Sequence, residues 1–202
     1  VLTVSRRTAT EVAALAETAG FNVTAVAVGS PTLEQWADVA ANATLVRAAR
    51  QQAFNDSAAP CVVYAGGYGG AEYNASVELF AELVGEAGLG AMRFAFSPHP
   101  GYADAAVERE IFGRAGVAHS VTVVPPGFGT AAVAAAANCT LSDGSSVGVQ
   151  ALSIGVPSAF VMSPPAAAGL NQSWGVVVTD GLVRVATSAG GGAKVLEDFA
   201  AA

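Results

Sequence analysis

The chain has 202 residues, enough to bury one full hydrophobic core and too few for two complete domains of ordinary size. Nine Lys and Arg against sixteen Asp and Glu leave a formal charge of −7, and the cations are scattered, so no basic stripe is present to neutralise a nucleic-acid backbone. Hydrophobic residues make up 52%, yet much of that is Ala, and runs such as Ala131 to Ala137 are far too short for a membrane span. No charged n-region leads into an apolar stretch after Val1, so the sequence reads as a mature or trimmed chain.

In chain order, the apolar run Val1 to Val4, a helix over Thr8 to Ala19 stopped by Gly20, and the run Val23 to Val28 read as one β-α-β unit. Two helical stretches follow between Pro31 and Ala53. The small-residue loop Asn55 to Pro60 has the composition of a junction, which divides the chain into 1–56 and 57–202.

Beyond Pro60 strands and helices alternate. Cys61 to Ala65, Met92 to Phe96, Ser120 to Val124, Cys139 to Leu141 and Pro157 to Val161 read as strands; Tyr73 to Gly85, Ala103 to Gly113, Thr130 to Ala137 and the segment up to Ile154 read as helices. A Pro-rich loop then leads to a strand at Val176 to Thr179. The strands are unbroken apolar runs, as expected of parallel strands covered on both faces. The expected fold is α/β: a Rossmann-like, doubly wound parallel sheet preceded by a short β-α-β remnant. In its usual order 3-2-1-4-5, the Cys61 strand neighbours the Cys139 strand. The one-residue offset between the two cysteines puts their sulfurs on opposite faces, so two free, buried thiols are expected although the cysteine count alone also allows one disulfide.

Ligands of such sheets bind beyond the carboxyl ends of the strands. Four strand-end loops hold the polar and flexible residues: Gly66 to Gly70, Ser97 to Tyr102, Pro125 to Thr130 and Ser142 to Ser146. In the last of these, amides and hydroxyls stand at a helix start, where an anion such as a diphosphate is favoured; the same residues also suit an ordinary N-cap. Gly144-x-Ser146-x-Gly148 matches a nucleophile elbow, but an α/β-hydrolase triad needs a His after the Ser, and both His99 and His119 precede it. The glycines at 66 to 70 miss the dinucleotide spacing at Glu72, which leaves a loop where backbone passes close to a ligand or a neighbouring domain. His99, between Pro98 and Pro100, is a titratable group in a rigid loop facing the crevice; His119 has no assigned role. No cluster of Cys, His and carboxylates has metal spacing, and no cofactor is expected.

All six asparagines, at 22, 42, 55, 74, 138 and 171, begin an N-x-Ser/Thr triplet, a pattern that chance gives on the order of once in 10⁵ such sets. This leans toward the secretory pathway or an extracellular location, with Asn55 and Asn171 as the best glycan acceptors and Asn138 bare because it abuts a buried strand.

The loops Tyr64 to Gly70, Ser97 to Gly101 and Ser142 to Gln150 running into Ala151 to Pro157 resemble, in order and spacing, the C-terminal half of GT-B glycosyltransferases. The likeness is to lipid-A-disaccharide synthase and the UDP-N-acetylglucosamine 2-epimerase group, and Val26 to Pro31 looks like the exit from their N-terminal half. It covers residues 1 to 185. The resemblance implies a half-domain that binds a nucleotide diphosphate sugar, UDP-type, for glycosyl transfer. Gly66, Gly67 and Tyr68 would border the donor, His99 would lie by the sugar nucleotide as a candidate catalytic group, Thr130 would line the site, and Ser142, Asp143, Ser145 and Ser146 would hold the diphosphate. Gln150 stands where relatives often carry a ribose-gripping carboxylate. The acceptor-binding half is represented only by residues 1 to 30, so an N-terminal half is an expected partner. The other readings are a non-catalytic binding domain of the same descent and a serine hydrolase using Ser146.

Overall fold

The computed structural model describes residues 2–3, 6–27, 30–86, 89–102, 104–125, 127–173 and 183–201. The chain opens with β1 (Leu2–Thr3), α1 (Arg6–Thr18) and β2 (Val26–Ala27), whose strands pair in parallel, Leu2 opposite Val26. Helix α1 stops at Gly20, which takes φ 76°, and the Phe21 amide returns to the Ala16 carbonyl at 2.8 Å. This is the left-handed helix stop that glycine supplies at little cost.

Next come α2 (Pro31–Ala41) and α3 (Ala43–Phe54). Proline at the first position of α2 needs no amide partner there. The Asn42 side chain caps α3 by accepting the Leu45 amide at 3.1 Å.

The main sheet is built from β3 (Cys61–Ala65), β4 (Arg93–Ser97), β5 (Val121–Val123), β6 (Cys139–Ser142), β7 (Ser158–Val161) and β8 (Arg184–Ala186). Between them run α4 (Ala71–Gly85), α5 (Ala106–Arg114), α6 (Gly129–Ala136), α7 (Ser146–Ser153) and α8 (Pro164–Ser173), and α9 (Ala189–Ala201) closes the chain. All pairings are parallel, in the order β5-β4-β3-β6-β7-β8. In chain order this is the expected 3-2-1-4-5, extended by a sixth strand.

Helices cover both faces. Tyr73, Val77 and Phe80 of α4, Ile111 and Phe112 of α5 and Leu196 of α9 pack with Val62, Tyr64, Phe94, Phe96 and Leu141 on one side. Phe80, Phe94, Phe96 and Phe112 meet edge to face at centroid distances of 5.5 to 6.1 Å, the preferred geometry of aromatic pairs. Trp36 of α2 and Ala49, Ala53 and Phe54 of α3 join Val63, Ala95, Val133 and Ala151 on the other. Residues 31–54, read from sequence as part of the preceding unit, thus contribute to this core. Among the described residues, no helix is long and apolar enough to cross a membrane.

Two elements differ from the sequence expectation. The Pro-rich segment after Val161 is helix α8, because Ser163 accepts the Ala166 amide at its start and Pro164 and Pro165 occupy the first turn, where their rings cost nothing. The helix expected from Ala103 begins at Ala106, after a 3-10 turn at Pro100–Tyr102 and a left-handed Ala105 with φ 50°. The expected strand Val176 to Thr179, the end residues Val1 and Val4 of the first run, and Val28 and Gly29 of the exit motif lie outside the described residues.

Cys61 and Cys139 stand on neighbouring strands, with Cys139 opposite Val62, and their side chains enter the two opposite cores. Both are free and buried, and burial pushes each thiol above its ordinary pKa. A thiol reacts as its thiolate. The native protein should therefore leave both cysteines unlabelled by iodoacetamide at neutral pH, and mass spectrometry after denaturation should find both alkylated; a disulfide in the purified protein would contradict the strand register.

Candidate functional site

The carboxyl ends of β3, β4 and β6 open into a cleft of about 740 Å³. Gly66, Gly67 and Tyr68 follow β3, His99 follows β4, Thr130 is the second residue of α6, and Asp143, Ser145, Ser146 and Gln150 follow β6 or lie on α7; all line this one space. The strand order brings the loops together: β3 lies between β4 and β6, so the chain leaves it in opposite directions on its two sides.

The floor is set by two glycines. A Cβ on Gly66 would lie 2.9 Å from the Phe96 ring, 3.1 Å from the Tyr73 hydroxyl and 3.2 Å from the His99 amide nitrogen. One on Gly67 would lie 2.7 Å from an Asp143 carboxylate oxygen. The loop therefore runs between an aromatic ring and a carboxylate at a separation only glycine allows. Beneath it, the Tyr73 hydroxyl donates to Glu108 Oε1 at 2.6 Å, and the Gly67 amide approaches the same tyrosine oxygen. Glu108 is only 5% exposed, so this bond accounts for a buried carboxylate on α5. Burial first, and then Glu108, push the Tyr73 phenol well up, keeping it a donor.

His99 is held from both sides. Its Nδ1 accepts the Gly101 amide at 3.1 Å, and the Tyr68 ring lies 4.2 Å from the imidazole, centroid to centroid. That bond puts the neutral ring's proton on Nε2. The Asp143 carboxyl is raised above its ordinary pKa by burial, which its own backbone amide and His99 partly offset. Thr130 shares a 3.2 Å hydrogen bond with Ser97, tying the start of α6 to the end of β4.

Two helices of eight residues, α6 and α7, start at the cleft. The Ser145 hydroxyl caps α7 by accepting the Val147 amide at 3.3 Å, whereas the residue before α6, Phe128, supplies no side-chain cap. The cap reading of Ser145 thus holds, and the first-turn amides of α6 have no side-chain acceptor there. No Lys or Arg is among the described residues lining the cleft. An anion there would be held by amide dipoles and hydroxyls.

Ser142 is the exception among the expected residues. Strand β6 runs one residue further than its apolar run, and Ser142 points into the sheet's interior, fully buried and with a hydroxyl that finds no partner among the described residues. It does not reach the cleft wall. Gly148 also has a local explanation: its absent Cβ would lie 2.8 Å from the Phe160 ring, so the glycine lets α7 pack onto β7. Ser146 begins that helix and is not among the positive-φ residues, so the strained turn of a nucleophile elbow is absent at this position.

Sequence reasoning missed the fourth wall. Thr32, Gln35, Trp36 and Val39 of α2 close the cleft over Gln150 and Val147. Their spacing of three and four residues along a helix with a buried Trp was the available signal.

Among the acceptor triplets, Asn22, Asn42 and Asn55 are exposed, and Asn55 ends α3 in the left-handed conformation. Asn138 is bound into the sheet, its Oδ1 accepting the Cys61 amide at 2.9 Å. The side chain of Asn171 lies outside what is described.

An acid whose folded pKa lies above its unfolded value destabilises the ionised fold; its favourable contribution is complete only below the unfolded pKa and is lost as pH rises through the folded one. Asp143→Asn should therefore raise the unfolding free energy at pH 7. The gain should shrink as pH falls toward the ordinary aspartate range of about 4, which denaturant melts across pH will show. Gly67→Ala should do the opposite, costing about 1–3 kcal/mol by forcing Asp143 aside.

No protein-family model matches the sequence, and no curated protein matches it. Solved structures do. The wall teichoic acid polymerase TagF superposes with a TM-score of 0.64 at 14% identity, over 96% of this chain and 47% of its own. A glycosyltransferase from Rickettsia africae ESF-5 gives 0.56 at 10% identity, over 100% of this chain and 53% of its own. UDP-GlcNAc 2-epimerase from Neisseria meningitidis, solved bound to UDP-GlcNAc, gives 0.54 at 15%, over 86% and 46%. The chain therefore has the α/β, Rossmann-like fold of GT-B proteins, and it spans about half the length of these similar structures.

Proposed function

We propose that this chain is the donor-binding half of a GT-B glycosyltransferase, taking a nucleotide diphosphate sugar of UDP type in the cleft beyond β3, β4 and β6. The carrying observation is convergence: Gly66, Gly67, Tyr68, His99, Thr130, Asp143, Ser145, Ser146 and Gln150, drawn from four separate loops and helix starts, line one space. The α6 and α7 amides would stabilise the charge that develops on a departing diphosphate, at a site already oriented for it. Gln35 and Gln150 offer uncharged hydrogen bonds to ribose hydroxyls. A similar structure, the epimerase, was solved with UDP-GlcNAc bound.

A second unit completes the enzyme in this reading. The β1-α1-β2 unit is a two-stranded sheet with Leu15 71% and Phe21 68% exposed, apolar surface that a neighbouring domain would cover. The alternative, a non-catalytic binding domain of the same descent, draws on the uncharged Gln150. Turnover of a UDP-sugar by the chain together with an N-terminal half separates the two.

Calorimetric titration with UDP, CDP, GDP and ADP should give binding, strongest with UDP. Ser146→Leu should abolish it by placing a branched side chain at the start of α7, and Ser145→Leu should also cost about 1 kcal/mol of stability through the lost cap. If no nucleoside diphosphate binds the wild-type chain, the donor-site reading fails.

We also infer that the acceptor triplets are used in a secretory host, on Asn55 and Asn171 first. Protein from such a host should lose mass on glycosidase treatment, and peptide mapping should find Asn138 bare because its side chain is committed to Cys61. An unshifted mass would remove the inference.

A further inference from the structure

The hydrogen bond between Tyr73 and Glu108 stands at a particular place in the chain. Each residue is the third of its helix, and the two helices, α4 and α5, follow the loops that carry Tyr68 and His99. Both side chains are buried, and their 2.6 Å bond ties one helix start to the other.

Stability alone does not account for this pair. Among the described residues no Lys or Arg pairs with Glu108: Arg109, beside it, gives its Nε to the Asp104 carbonyl at 3.4 Å, and Arg114 pairs with Glu78 and Glu110. A carboxylate withdrawn from water against a neutral phenol costs more than an apolar side chain of similar size would. Tyr73 itself belongs to the same apolar core as Phe96 and Phe112, where a phenylalanine would pack as well.

The loop above the pair needs fixing from outside. Gly66 to Gly70 holds one side chain, Tyr68, in five residues, and a glycine backbone is the freest of all. The Gly66 amide donates to the Ser97 carbonyl at 2.8 Å, and the next amide, that of Gly67, approaches the Tyr73 oxygen. The point that a Gly66 Cβ would occupy lies 3.1 Å from that same oxygen and 3.2 Å from the His99 amide nitrogen. The phenol therefore bears on the junction of both loops. Beyond this junction the Tyr68 and His99 rings meet at 4.2 Å, although Tyr68 is otherwise exposed.

We propose that Tyr73 and Glu108 are positioning residues for the cleft: their bond sets the spacing of the two loops and so holds the His99 imidazole against Tyr68. The effect on a ligand rests on the nucleotide-sugar reading; the placement of His99 does not.

The test is NMR of the imidazole C–H signals in the 202-residue chain, which has two histidines, so that exposed His119, just before β5, serves as the reference. In wild type the His99 signals should be displaced by the Tyr68 ring current, and Tyr68→Ala should remove the displacement. Tyr73→Phe combined with Glu108→Leu, which leaves neither partner of the bond as a lone polar group, should remove it as well, while the denaturant midpoint stays or rises. Glu108→Gln keeps an acceptor for the phenol and should retain most of the displacement. In the double variant, affinity for UDP-GlcNAc by calorimetry should fall about tenfold, the loss of one hydrogen bond from a displaced His99. Unmoved His99 signals in the double variant overturn the proposal, and so do moved signals with unchanged affinity. A double variant that no longer folds also overturns it, because the pair then serves the core. If UDP-GlcNAc does not bind the wild type, the donor reading fails, and the imidazole signals still decide whether the pair places His99.

Discussion

Everything at the cleft depends on how closely the chain can pass at the end of β3. Gly66 and Gly67 thread between the Phe96 ring and the Asp143 carboxylate, with no room for a Cβ at either position. That tight passage lets the β4 and β6 loops approach each other across β3. It sets His99 on one side and Asp143 on the other, and it brings the Gly67 amide down to the Tyr73 oxygen. Tyr73 is itself fixed by Glu108 from α5. A buried carboxylate, a phenol and a glycine amide thus connect the helical layer under the sheet to the loop above it. The polar groups removed from water by this arrangement are matched in sequence from α5 to the cleft floor, which is the condition for a buried polar chain to rigidify a site instead of weakening it.

The strands and their end loops were legible because a parallel strand covered on both faces is mostly apolar. Val62 to Tyr64 and Phe94 to Phe96 are such runs, and Gly or Pro marks where each stops. The strand order followed from the general rule for doubly wound sheets, and the opposite placement of Cys61 and Cys139 followed from that order plus alternation. Nine of the ten expected site residues share a cleft for the same reason: the topology alone decides which loops meet.

What escaped the sequence has local causes. Ser142 looked like loop because it is polar, yet it is the last residue of β6, and its partners Ala65 and Phe160 hold it in the sheet. Helix α8 was hidden by two prolines that belong to its first turn. Helix α9 drew no reading from the sequence; Gly190 to Gly192 lie at its start, and Gly192 lies where a Cβ would come within 3.1 Å of Leu83, so that glycine is a packing contact against α4. The α2 wall escaped for another reason. Nothing in the local pattern of Thr32, Gln35, Trp36 and Val39 says which sheet face, or which loops, a preceding helix will cover.

The central place of β3 also constrains how the sheet is assembled. It is the first strand of the large sheet to leave the ribosome, and β4 and β5 can add to one of its edges as soon as they follow. Its other edge must wait for Cys139, more than seventy residues later, and Asn138 is the group that then fastens it, through the Cys61 amide. Until that moment Val62, Val63 and Tyr64 present an unpaired hydrophobic edge, the feature that invites pairing with a second chain. Closing so distant a contact is slow, because the intervening loop entropy is spent before the pairing returns anything. Among the inner strands of the sheet, the one that ends in the glycine floor of the cleft therefore waits longest for its second neighbour during synthesis.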